Sequence, residues 1–180
     1  MIRAWLAAAL LAGLTGLTGL TGCTTPPQAL GDEPWTAGRL SLRVDASPDR
    51  AAQSLSVAFE MRGGPDSGEL RLTSPLGTQL AAARWAPGLA SLRTPDGERQ
   101  FADLDDLSRQ TLGEALPLAA MPAWLAGRPW PGAPFQTQAD GFEQLGWRVL
   151  TDRLAEGYVS ARRSAAPAVQ LRVKLDRHYP

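Results

Sequence analysis

Apolar and polar residues alternate with a period of two along most of the chain from Gly38 onward, the pattern of half-buried β-strands. Over Gly38 to Val44, Leu40, Leu42 and Val44 share one face, and over Ser54 to Met61, Leu55, Val57, Phe59 and Met61 do. Leu70 and Leu72 pair in the same way within Glu69 to Thr73, while Thr78 to Trp85 and Leu89 to Thr94 read as strands with less distinct faces. Turn chemistry separates these runs at Ser47-Pro48-Asp49, Gly63-Gly64-Pro65-Asp66, Ala86-Pro87-Gly88 and Thr94-Pro95-Asp96-Gly97. The period then lengthens. Asp103 to Gly113 predicts a helix with an acidic start, and Leu118 to Gly127 a short helical stretch carrying Trp124 and Leu125, with Pro122 in its first turn. Strands resume at Phe135 to Gln138, at Phe142 to Thr151 with Leu145, Trp147 and Val149 on one face, and at Gly157 to Arg163. The last, with Val169, Leu171, Val173 and Leu175 against Gln170, Arg172, Lys174 and Asp176, is the clearest. Strands, then helices, then strands, joined by short links, predict an antiparallel sheet with helices on one face.

Before the sheet the chain has a different character. Arg3, the apolar Ala4 to Ala12 and the small residues of the repeat LTGLTGLTGC make a signal-peptide pattern over residues 1–22. The Gly- and Thr-rich second half argues against a membrane span, which needs about 20 predominantly apolar residues. Leu20-Thr21-Gly22-Cys23 resembles the bacterial lipobox, which implies a lipid on Cys23 and cleavage just before it. Thr24 stands where an Asp would mark inner-membrane retention in that class, so the resemblance implies export to the outer membrane. Residues 23–36, with Pro26, Pro27, Gly31 and Pro34, read as a tether that reaches roughly 40 Å when extended, with Trp35 placed to dock on the domain that fills residues 37–180.

Composition narrows the chemistry. Lys plus Arg and Asp plus Glu number 18 each, so there is no basic excess for nucleic acid or for anionic lipid. Cys23 is the only cysteine, which leaves none for a disulfide or a zinc cage, and His178 beside the C-terminus is the only histidine. No Ser-His pair or phosphate loop is present. Asp103, Asp105 and Asp106 are read as a helix start favoured by the macrodipole, not as a cation site. Arg162-Arg163 is read as a solvated strand end, and Glu69 and Glu114 have no partner at fixed spacing. No catalytic or metal-ligating residue and no cofactor is assigned, apart from the covalent lipid on Cys23.

Ser74-Pro75-Leu76-Gly77 departs from the ordinary pattern. Its residues have the signature of a type I turn, which puts Leu76 on the tip between two strands. Spacing alone leaves two readings: Leu76 folds back onto the core, or it points outward to touch lipid or a partner.

An ordered set of stretches resembles the LolB family of outer-membrane lipoproteins. These are the lipobox ending in Cys23, Gly38-Arg39-Leu40, Gly68 to Thr78, Trp85 to Gly88, Leu112 to Pro117, Trp124 to Pro129, and Gly146-Trp147. The resemblance implies an unclosed antiparallel β-barrel with a short helical lid over an apolar cavity. It implies a monomeric, non-catalytic protein, anchored on the periplasmic face of the outer membrane. Such a protein accepts acylated passenger lipoproteins from the periplasmic carrier LolA and inserts them into outer-membrane lipid. It assigns insertion to the loop Pro75, Leu76 and Gly77. The expected cavity wall is Leu40, Leu42, Leu55, Val57, Phe59, Leu70, Leu72, Trp124, Leu125, Trp147, Val149, Leu171 and Val173. Periodicity does not separate a cavity wall from a packed core, so the cavity rests on the resemblance. The competing readings are a scaffolding outer-membrane lipoprotein with a packed core and a protein partner, and a lipid-tethered hydrolase.

Overall fold

The computed structural model describes residues 33–176. The expected signal peptide, Cys23 and the tether up to residue 32 lie outside the described residues, as does His178. Eleven antiparallel strands form one sheet: β1 (Thr36–Val44), β2 (Gln53–Gly63), β3 (Gly68–Thr73), β4 (Gln79–Ala86), β5 (Leu89–Thr94), β6 (Gly97–Phe101), β7 (Phe135–Gln138), β8 (Gly141–Gln144), β9 (Trp147–Leu150), β10 (Tyr158–Arg163) and β11 (Val169–Leu175). Their order is β6-β5-β4-β3-β2-β1-β11-β10-β9-β8-β7, so β6 and β7 are free edges and the barrel is not closed. β1 and β11 join the two arms, pairing from Gly38 with Leu175 to Val44 with Val169. Each neighbour in the sheet is a neighbour in sequence except at this junction, which brings the two ends of the domain together.

Between β6 and β7 the chain crosses the concave face as a lid. Helix α1 (Leu104–Leu112) starts on Asp103, whose carboxylate accepts the Asp106 N–H at 2.7 Å, and stops at Gly113 in the left-handed region. A single 3₁₀ turn leads to the short helix α2 (Met121–Leu125), with Pro122 in its first turn, where a missing N–H costs nothing.

Three local expectations need correction. β6 was not predicted: its interior is Glu98-Arg99-Gln100, and it forms because the Pro95-Asp96-Gly97 turn folds it back onto β5. The single strand expected over Phe142 to Thr151 is a hairpin, β8 and β9, turning at Leu145-Gly146. Leu145, at φ 54°, leaves the inner face and is about half exposed. Arg163 is not a solvated end. It donates to Glu114 at 2.6 Å and so ties the link after α1 to β10.

The outer face is held by charge. Glu69 on β3 is 1% exposed and accepts from Arg62 and Arg71 at 3.0 Å each and from Arg84 at 3.4 Å. Trp35 packs over this group, with the Arg62 and Arg71 guanidiniums 4.6 and 4.3 Å from its ring centre. On the inner face the Trp85 indole donates to the Gly64 carbonyl at 2.9 Å and lies against Gly68, where a Cβ would come within 2.2 Å of the ring. Any side chain at Gly68 would push this tryptophan out of the inner face.

Burial raises the Glu69 pKa, but hydrogen bonds from Arg62 and Arg71 and the charges of Arg71 and Arg84 outweigh it, and the carboxyl sits below its ordinary value. A depressed pKa contributes stability above the unfolded value, and that contribution is lost as pH falls through the folded one. The arginines are partly exposed, which screens the interaction. Glu69→Gln is expected to cost about 1–3 kcal/mol at neutral pH. Thermal melts should show the gap to the parent closing below about pH 4, where ordinary carboxylates also protonate.

Candidate functional site: an apolar cavity under the lid

A cavity of about 210 Å³ lies between the lid and one arm of the sheet. A leucine-lined hole of about 150 Å³ already stays dry and takes up an apolar guest such as benzene. Its floor is Leu40 and Leu42 of β1, Leu55, Phe59 and Met61 of β2, Leu70 and Leu72 of β3, with Leu171 and Val173 of β11 beside them. Leu107, Leu112, Leu116, Leu118 and Met121 close it from the lid side.

The void has a cause in the sequence. On β4 the inward positions beneath the lid are Ala81 and Ala83, which present methyl groups where the neighbouring strands present leucines. The other arm is filled. Trp124 of α2 drops into it and meets the rings of Phe142 and Trp147, with centroids 6.4 and 6.1 Å away. Space is therefore left on the β1 to β5 side and not on the β8 to β10 side.

Gln144 fixes this arrangement. Its buried side-chain oxygen accepts from the Trp124 indole at 2.8 Å and from the Trp130 N–H at 2.9 Å, and its amide nitrogen donates to the Trp130 and Ala133 carbonyls at 2.7 Å each. One side chain of β8 thus holds α2 and the loop after it to the sheet. Ser108, fully buried on α1, accepts the Leu116 N–H at 3.0 Å and donates to the Asp105 carbonyl, so the cavity's polar atoms are satisfied among themselves. Two contacts hold the link that follows α1: the Glu114–Arg163 ion pair, and the Arg50 guanidinium, which lies against Gly113 at the carbonyl end of the helix.

Ten of the residues expected in the wall line this cavity: Leu40, Leu42, Leu55, Phe59, Leu70, Leu72, Trp124, Trp147, Leu171 and Val173. Three do not. Val57 is buried opposite Leu40 between Leu55 and Phe59 on β2, and it is shorter than either of these two lining residues. Leu125 follows Trp124 by about 100° around the helix and turns to the rim at Pro34, Thr36 and Met61. Val149 is sealed in the filled arm, paired with Phe142 and Ala161. Pattern reading missed Ala81 and Ala83, which bound the void, and Gln144, which holds the lid. A buried Gln on a strand face otherwise lined by Phe142 was the available signal.

Leu76 lies outside the cavity. The Gly77 N–H donates to the Ser74 carbonyl at 2.9 Å, the i to i+3 bond of the expected turn, and the Thr78 N–H donates to the Ser74 Oγ at 3.1 Å. Gly77 has φ 86° and returns the chain to β4. Leu76 is 95% exposed between them, so the outward reading is the one the structure adopts.

The family model described as outer membrane lipoprotein LolB matches residues 34–176. The chain belongs to the LolB family. It is 35% identical over 132 residues to the outer-membrane lipoprotein LolB of Chromobacterium violaceum, covering 72% of this chain and 69% of that one. The LolB of Bordetella petrii is 33% identical over 164 residues, 84% of this chain and 79% of its own length. The LolB of Dechloromonas aromatica is 41% identical over 92 residues, 51% and 48% of the two chains. The family match spans every strand, the lid and the Leu76 turn. Among the described residues no helix is long and apolar enough to cross a membrane, and no group of His, Cys, Asp or Glu is placed to hold a metal ion.

Two substitutions separate the void from the clamp. Ala81→Phe is expected to abolish binding of a fluorescent fatty acid at an overpacking cost of about 1–3 kcal/mol, so a folded, non-binding protein results. Gln144→Leu strands several buried polar groups and is expected to lower stability by about 2–4 kcal/mol, read by denaturant titration.

Proposed function

We propose that this LolB-family protein receives the acyl chains of passenger lipoproteins from the periplasmic carrier LolA and inserts them into the outer membrane, with no covalent step. The observation that carries the reading is the apolar cavity beneath a two-helix lid. Moving an acyl chain through water costs about 0.8 kcal/mol per exposed CH₂, so a receiver must offer a dry surface before the donor lets go. The resting cavity has room for a segment of chain, and accepting more requires the lid to lift. α2 is clamped through Gln144, so the movement falls to α1 and the link after it, held by Ser108 and the Glu114–Arg163 pair.

Delivery needs a different feature. Leu76 on its turn can enter the bilayer and gain about 1.5–3 kcal/mol, enough for a transient touch and too little to anchor. Permanent attachment is the task of the lipid on Cys23. Reception and insertion are thereby assigned to separate parts of the molecule, the cavity and the Leu76 turn.

The test uses the domain from Thr24 onward with carrier loaded with acylated lipoprotein and with liposomes. The parent is expected to deliver passenger to the liposomes. Leu76→Glu is expected to accept passenger and fail to deliver it. If neither form accepts passenger, the cavity reading falls, and a scaffold with a protein partner takes its place.

A further inference from the structure

Three of the large exposed apolar side chains gather at one end of the sheet: Leu76, 95% exposed, Phe135, 52%, and Leu145, 47%. The pairing register shows where they lie. Val44 at the end of β1 is opposite Gln53 and Val169, and Val169 is opposite Arg163 at the end of β10. On that same end β3 turns into β4 through Leu76, β8 turns into β9 through Leu145, and β7 begins at Phe135 opposite Gln144. Leu76 and Leu145 thus stand on opposite arms of the open sheet, at one end of it. At the other end, Leu89 begins β5 with ordinary backbone and is 47% exposed, and Tyr158 is covered by the Arg153 and Lys174 cations, 4.5 and 4.0 Å from its ring centre.

Leu145 is held there at a cost. It is the one non-glycine among the described residues with positive φ, 54°, and Gly146 follows at 76°. A two-residue hairpin turn with both φ values positive is the habitat of Asn-Gly, and a leucine crowds its own carbonyl in that conformation. Burial does not compensate, since half of the side chain faces solvent. Strain kept at an exposed position points to use. Pro134, Phe135 and Leu145 share a shallow depression with the exposed Arg162 and with Glu143, whose carboxylate is taken by Arg148 at 3.2 Å.

We propose that the Leu145-Gly146 turn and Phe135 form a second membrane-contact tip, which meets phospholipid together with Leu76. This rests on the reading of Leu76 as the insertion residue. A convex turn flanked by an aromatic ring suits a planar apolar layer, and Arg162 stands where a headgroup phosphate would lie. One leucine is a pivot. Contacts on both arms fix the tilt of the sheet against the bilayer, and with it the direction in which the cavity releases a chain.

Full-length lipidated protein in phosphatidylethanolamine–phosphatidylglycerol vesicles provides the test. Leu76→Cys, Leu145→Cys and Tyr158→Cys each carry an environment-sensitive fluorophore. A blue shift, with quenching by a nitroxide lipid, is expected at positions 76 and 145 and not at 158. A response at 76 without one at 145 overturns the second tip and leaves the Leu76 reading standing. No response at either position removes both. A response at 145 that needs the carrier and not the vesicles overturns the proposal in favour of a protein-docking surface. Leu145→Asn guards against misfolding, because it installs the favoured Asn-Gly turn. Its melting temperature is expected to hold or rise and its acceptance of passenger to stay unchanged, while delivery slows about tenfold, the scale of one leucine's transfer. Delivery at the parent rate overturns the proposal.

Discussion

The void under the lid exists because one arm of the sheet is filled and the other is not. Trp124, Phe142 and Trp147 fill the β8 to β10 side with ring contacts, while Ala81 and Ala83 leave the β1 to β5 side short of atoms. A protein interior normally closes such a gap, since each lost contact forfeits dispersion energy. Here the gap persists because the lid cannot sink further: Gln144 holds α2 and the following loop at a fixed height above β8 with four hydrogen bonds. The cavity is the space between a lid clamped at α2 and a leucine-rich wall in which β4 contributes only Ala81 and Ala83.

The clamp also divides the lid. α2 shares its tryptophan with the filled arm and cannot rise without stranding buried polar groups. α1 carries its own caps at Asp103 and Gly113. The link between them is tied through Ser108 and by the Glu114–Arg163 pair. A hinged cover with one fixed end suits a receiver that must open for a bulky chain and then close over an apolar space.

Charge on the outer face does structural work. Glu69 gathers three arginines from neighbouring strands, and Trp35 covers two of them, so the last residues of the tether are bound to the domain before β1 begins. The residues that line the cavity include no ionised group. That separation matters to a lipid-handling site, because an unpaired charge beside an acyl chain would have to be desolvated every time the cavity fills.

Local sequence carried much of this in advance. Period-two alternation marked β1, β2, β3 and β11, a capped run marked α1, and Ser74-Pro75-Leu76-Gly77 marked its own turn, because each depends on neighbours a few residues apart. Leu145-Gly146 hid inside an alternating run, since a two-residue turn does not break the period and leucine does not announce a left-handed backbone. β6 hid because an edge strand needs no apolar face. What the chain by itself determined is which residues face inward and where it turns. Only the tertiary structure decided which inward residues touch each other and which border empty space. Val57 and Leu55 look alike by period, and Val149 looks like Val173, but the difference in each pair comes from side-chain length and from a tryptophan delivered by a distant helix. The partners of Glu69 and Glu114 arrive from other strands for the same reason: contact across a sheet is set by register, and no fixed sequence spacing encodes it.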